Sequence, residues 1–246
     1  MVKKIWSKIT QVCILKRLLV SFGIVFSFKN KVGFIMIVEP SIPIHEVIYR
    51  SIRLRIMLGQ IEPGTTFSIR SLAKEFSVSM TPIRDATRRL VAEGALIMSS
   101  TGRISAPRIN SIRIQELLSL RLLLEPELAI RAIPRVHSAL IERLSNIQMS
   151  IDEMIKSQNP LGYLKTNLEF HKTLYLRAQA PAMLAILETV WLQSGPTMIL
   201  IFKRNCDSFS TFCHRNILLA LKSGNKVDLA ENIKVNIKNN FKTDFD

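Results

Sequence analysis

The sequence predicts a mainly α-helical chain: a winged helix-turn-helix followed by an all-helical antiparallel bundle. Three observations predict it. Apolar residues recur three and four positions apart through most of the chain, which is the period of a helix with one buried face. A short basic helix begins within Ser79-Met80-Thr81-Pro82-Ile83-Arg84-Asp85-Ala86. Two short apolar runs joined through Ser99-Ser100-Thr101-Gly102 follow it, and after them no strand pattern returns.

Size and composition allow this plan. The 246 residues, 48% hydrophobic and 22% charged, have room for one large or two modest domains with a core. The net charge is +15, but residues 1–35 carry seven Lys/Arg and no acid, so overall basicity says less about nucleic acid than local placement does. Cys13, Cys206 and Cys213 are odd in number and form no Cys-x-x-Cys pair, which points to a reducing compartment and ordinary thiols.

In residues 1–35 the apolar run Leu18–Phe28 is too short to span a bilayer, which takes roughly 20 residues. Two readings stay open for this extension: a mis-assigned start with Met36 as the true one, or an interfacial amphipathic anchor. No small-residue cleavage site follows it, which argues against secretion.

From Ile44 the positions Val47, Ile48, Ile52, Ile56 and Leu58 mark a first helix that closes at Gly59. Arg50, Arg53 and Arg55 lie largely off its stripe, free to be solvated or to touch phosphate. Glu62-Pro63-Gly64 is a turn, Ser68 is placed to cap a second helix, and Phe76-Ser77-Val78-Ser79 turns into the third. There Thr81 reads as the N-cap and Pro82 as the first helical residue, where its missing N–H costs nothing. Ile83, Ala86 and Leu90 share one face; Thr81, Arg84 and Arg88 share another. The arginines suit forked contacts to guanine, point contacts to phosphate, or simple solvation. The helix ends near Glu93-Gly94, and Ala95–Met98 with Arg103–Ala106 predict the two strands of a wing, Gly102 at its tip.

Helices are then expected over Ile112–Ala132, Ser138–Lys156, Pro160–Ala178, Pro181–Phe202, Ser208–Lys222 and Val227–Asn240, a bundle of six or seven. Arg121 and Glu125 stand one turn apart. They read either as an i,i+4 ion pair or with Arg121 turned to a ligand carboxylate.

The pattern Pro63-Gly64, Leu72-Ala73, Val78-Ser79, Thr81-Pro82-Ile83-Arg84, Leu90, Glu93-Gly94 and Gly102 resembles the DNA-binding domain of the GntR family of bacterial transcription regulators. The remainder resembles the helical effector domain of its FadR subfamily, called FCD. The resemblance implies a DNA-binding domain over residues 36–110 and an effector-binding and dimerisation domain over 111–246. It places DNA contacts at Arg70, Met80, Arg84, Thr101 and Gly102; Met80 stands where the family usually has Arg, and a thioether offers neither charge nor fork. It places a divalent-metal set, zinc or nickel, at Asn167, His171, His214 and Asn236, where two amides replace an Asp and a His and weaken the site. These four, with Arg121, also line the implied ligand cavity.

The function expected is therefore a cytoplasmic, homodimeric regulator that binds a double-stranded operator and senses a small carboxylate, with no role at the membrane. A ligand-independent DNA-binding factor is the alternative. No nucleophile–base pairing or phosphate loop suggests an enzyme.

Overall fold

The computed structural model describes residues 25–28, 34–37, 42–205 and 212–240. The expectations for most of residues 1–35, for Cys13 and for Cys206 lie outside them. A short antiparallel hairpin, β1 (Val25–Phe28) and β2 (Phe34–Ile37), comes first. The described residues form two compact units, one of residues up to Ile52 with Ile69–Arg89, the other of Arg53–Ser68 with Leu90 onward.

The first unit is helical. Helix α1 (Ile44–Met57) begins in it and buries Val47, Ile48 and Ile52. Helix α2 (Ile69–Phe76) directly follows Ser68 and ends at Ser77, whose φ of 55° is the left-handed turn that stops it. Helix α3 (Met80–Ala92) buries Ile83, Ala86, Thr87 and Leu90. It starts two residues earlier than the sequence predicts: Ser79, not Thr81, immediately precedes the helix. Pro82 is then its third residue, still among the N–H positions that lack an intrahelical acceptor, so proline fits there equally well.

In the second unit the wing is a three-stranded antiparallel sheet of order β3-β5-β4, with β3 (Thr66–Phe67), β4 (Ile97–Met98) and β5 (Ile104–Ser105). Strand β3 is too short to leave a sequence signal; Thr66 pairs with Ser105 and Phe67 with Ile104. The tip closes by Ser99 N–H donating to Arg103 O at 2.9 Å and Gly102 N–H to Ser99 O at 2.9 Å, with Gly102 at φ 76°, a conformation that favours glycine.

The bundle comprises α4 (Ser111–Ala132), α5 (Ser138–Lys156), α6 (Pro160–Tyr175), α7 (Pro181–Asn205), α8 (Phe212–Ser223) and α9 (Lys226–Asn240). Three of the starts have caps the residues can supply: Asn110, His137 and Asn159 each accept a backbone N–H. The core runs through Leu128, Leu144, Phe170, Leu174, Leu187 and Ile233. Helix α7 is long and apolar enough to cross a membrane, yet 61% of that apolar window is buried against its neighbours, as befits a core helix.

Helix α7 also carries the contacts to the end of α1 and the start of the wing. At Gly195 an added Cβ would lie 2.5 Å from Ile56 O and 2.6 Å from Met57 O, so the two backbones meet with no room for a side chain. Gln193 donates to Glu93 O at 2.9 Å and accepts from Arg113 at 2.7 Å. Arg53, half-buried, lies 3.4 Å from Glu188 and 3.6 Å from Glu93, and Glu188 also pairs with Lys172 at 2.8 Å. Arg50 pairs with Glu46 at 2.8 Å. Neither Arg50 nor Arg53 is simply solvated, and both spend charge on partners within the chain.

Candidate nucleic-acid interface and candidate ligand site

In α3 the buried positions leave Met80, Thr81, Arg84, Asp85, Arg88 and Arg89 exposed. Arg89 donates to Glu46 at 2.9 Å and lies 3.7 Å over the Tyr49 ring, which anchors it to α1. The side chains of Arg84 and Arg88, and of Arg70 at the start of α2, form no hydrogen bond or ion pair with a described residue. The first unit thus presents three uncommitted guanidiniums, with Met80, 43% exposed, beside them in sequence at the start of α3. Thr87, which reads as polar, is buried, and its Oγ1 donates to Ile83 O at 2.8 Å. In the second unit Thr101 and Gly102 are exposed at the wing tip, where Thr101 Oγ1 is 2.9 Å from Ser99 Oγ.

Inside the bundle the structure brings together His171, His214 and Asn236, and joins them to Arg121 through Glu125 and through Tyr175, which the sequence reading did not assign. His171 Nε2 lies 3.1 Å from Asn236 Oδ1 and 3.3 Å from His214 Nε2. On the other side His171 Nδ1 is 3.1 Å from the Tyr175 hydroxyl, which donates to Glu125 Oε2 at 2.9 Å. Glu125, fully buried, also accepts from Trp191 Nε1 at 3.1 Å and is ion-paired to Arg121. The i,i+4 pairing of Arg121 with Glu125 is therefore made, in the core. Tyr175, one turn after His171, carries a signal that helical spacing offers; Trp191 comes from a distant helix and carries none.

Burial and the nearby Arg121 charge lower the His171 pKa from 6.5 to about 3, against a smaller opposing effect of the Asn236 contact. Burial and then His171 lower that of His214 too. For Tyr175, burial and the Glu125 charge raise the pKa, so its proton stays. Both imidazoles are neutral at physiological pH, each with one N–H and one lone pair, and Tyr175 gives its one proton to Glu125.

The spacing of the two Nε2 atoms suits two ligands of one tetrahedral ion, but the chemistry does not. A divalent cation here would have two neutral imidazoles and two neutral amides, and the carboxylates near them are already committed, Glu125 to Arg121 and Asp152 to Gln148 and Arg215. No group of three or more His, Cys, Asp or Glu among the described residues is arranged to hold a metal. The residues present do not fit a resident zinc or nickel ion.

A winged helix-turn-helix ahead of an all-helical bundle is the arrangement of a DNA-binding transcription regulator. Residues 44–104 match the family described as bacterial regulatory proteins, gntR family, and residues 116–237 match the FCD domain. The chain belongs to the GntR family of bacterial transcription regulators and carries an FCD domain. It is 21% identical over 149 residues to the HTH-type transcriptional regulator McbR of Escherichia coli, covering 61% of this chain and 67% of that protein. It is 31% identical over 147 residues to the gluconate operon transcriptional repressor of Bacillus subtilis, covering 60% of this chain and 58% of the repressor. The chain thus spans between about half and two thirds of these relatives' lengths. Its fold matches the structure of E. coli McbR/YncC with a TM-score of 0.75 at 18% identity, over 80% of this chain and 94% of that one. A putative GntR regulator from a Rhodococcus species matches with a TM-score of 0.65 at 18% identity, over 79% and 93%.

Proposed function

We propose that this regulator binds double-stranded operator DNA as a cytoplasmic homodimer, with Arg70, Met80, Thr81, Arg84 and Arg88 at the major groove and Thr101 with Gly102 at the wing contact. One observation carries this reading: Arg70, Arg84 and Arg88 are exposed and uncommitted among the described residues, while Arg50, Arg53 and Arg89 are tied to carboxylates. Two protomers would set their α3 helices in successive major grooves of a pseudo-palindrome, phosphate contacts giving most of the affinity.

The bundle's part in this proposal is sensing, not catalysis, and the effector is a small carboxylate metabolite bound without metal among Arg121, Asn167, His171, His214 and Asn236. Support comes from the family likeness, residues 116–237 matching the FCD domain. The gluconate operon repressor takes its name from an operon for a carboxylate, which agrees with that class. A second reading, DNA binding that ignores metabolites, is favoured by the amides at 167 and 236.

The test is fluorescence anisotropy on operator fragments selected by this protein from random duplexes. Arg84→Ala should weaken binding at least tenfold while leaving the melting temperature unchanged. Equal affinity of wild type and variant for the selected duplex would remove α3 from the interface.

A further inference from the structure

Helix α3 carries one acidic residue, Asp85, in the middle of its outward face. The buried stripe is Ile83, Ala86, Thr87 and Leu90. On the opposite side Thr81, Asp85 and Arg88 follow one another four and three residues apart, all exposed, with Arg84 adjoining them.

A carboxylate so placed ordinarily closes on a guanidinium three or four residues away. Elsewhere in the chain that happens: Glu46 pairs with Arg50 at 2.8 Å, Glu127 with Arg131 at 2.6 Å and Glu116 with Arg113 at 2.7 Å. Asp85 has Arg88 and Arg89 at those spacings, yet its side chain forms no hydrogen bond or ion pair with a described residue. Arg89 is drawn the other way, donating to Glu46 at 2.9 Å and lying 3.7 Å over the Tyr49 ring. The carboxylate therefore stands open beside the open guanidiniums of Arg84 and Arg88.

Against a duplex, phosphates and base acceptors repel such a carboxylate, and it gains only where a base offers a donor. In the major groove cytosine presents its N4 amino group with no acceptor beside it. The N6 amino group of adenine is flanked by the N7 acceptor, guanine shows the acceptors O6 and N7, and thymine shows an acceptor and a methyl group. An aspartate here selects cytosine, and guanine nearby suits the forked Arg84 or Arg88.

We infer that Asp85 is a specificity-determining residue of the DNA interface, accepting from the N4 amino group of one cytosine in each half-site and excluding thymine there. The inference rests on the α3 interface proposed above and adds the base that is read.

The experiment is selection of duplexes from a random pool by the full chain, for wild type, Asp85→Ala and Asp85→Asn, followed by anisotropy on the selected duplexes. The wild-type selection should hold one cytosine position per half-site at which thymine lowers affinity about tenfold. Asp85→Ala should flatten that position alone, to within about twofold. Asp85→Asn should turn it to adenine, because an amide offers a donor to N7 and an acceptor to N6 together. A side chain that only supports the helix would not change the base preferred at one position. Asp85 is exposed and alanine favours a helix, so Asp85→Ala should melt no lower than wild type, which separates a change in reading from a loss of fold. The same base preferences in all three proteins would overturn the inference, as would a loss of affinity in Asp85→Ala that is equal for every sequence. Lost binding in Arg84→Ala beside unchanged preferences in Asp85→Ala would remove only the cytosine contact. Full affinity in Arg84→Ala would remove the α3 interface, and this inference with it.

Discussion

Replacing Arg121 with leucine should strand the carboxylate of Glu125. That side chain has no exposed surface, and it holds three donors: the Arg121 guanidinium, the Tyr175 hydroxyl and the Trp191 indole. Leucine removes the only charged partner it has among the described residues and leaves two neutral ones. Removing one member of a buried pair costs about 3–5 kcal/mol. For a chain of this length each kcal/mol lowers the melting temperature by about 2–4 °C, so Arg121→Leu should melt roughly 6–20 °C lower. Adding Glu125→Gln removes the stranded charge while keeping an oxygen for Tyr175 and Trp191, and should recover at least half of the loss. Urea unfolding of wild type, both single variants and the double variant gives the coupling directly. A loss below about 1 kcal/mol for Arg121→Leu, or a double variant that simply adds the two single losses, would refute the claim that this pair is a coupled core element.

The remaining expectations concern acid, packing and DNA. His171, with its pKa lowered from 6.5 to about 3, binds more protons unfolded than folded, so its contribution is complete above pH 6.5 and is lost as pH falls toward 3. The slope is about 1.4 kcal/mol per pH unit, and His214 acts in the same direction. Urea midpoints from pH 7.5 to pH 5 should fall less steeply for His171→Phe than for wild type; parallel slopes count against it. Gly195→Ala pushes a methyl into the carbonyls of Ile56 and Met57, and neither is a flexible side chain that can yield, so it should cost about 1–3 kcal/mol. Wild-type stability in that variant would mean the close approach is not real. Met80→Arg restores a cation at the exposed start of α3 and should steepen the salt dependence of duplex binding by about one counterion, an outcome a log–log salt titration reads directly; an unchanged slope would place Met80 away from phosphate.

How far the sequence carried the structure depends on the length of each signal. Every helix of the bundle was legible because periodic apolar residues, with prolines or glycines between helices, mark it over three turns or more. The start of α3 was misplaced by two residues, since Ser79 and Thr81 are both good caps and Pro82 fits either the first or the third helical position. Strand β3 was not read at all, because two residues cannot show an alternation. In the bundle, His171, His214 and Asn236 were expected to meet and do. The network beyond them was not expected: Trp191 reaches Glu125 across 66 positions, and no local pattern announces such a contact. Gln148 read as an ordinary helix residue, and only its burial separates it from one.

Helix α7 touches the polar network with Trp191 and the backbone of α1 with Gly195, four residues further on. Four residues are about one turn and some 6 Å of axis, a span over which a packed helix behaves as a rigid rod. An axial displacement of the indole by half an ångström would therefore arrive at the Ile56 and Met57 carbonyls almost undiminished. The indole that donates to Glu125 and the glycine that meets the end of α1 are, in mechanical terms, one turn apart on a single rod.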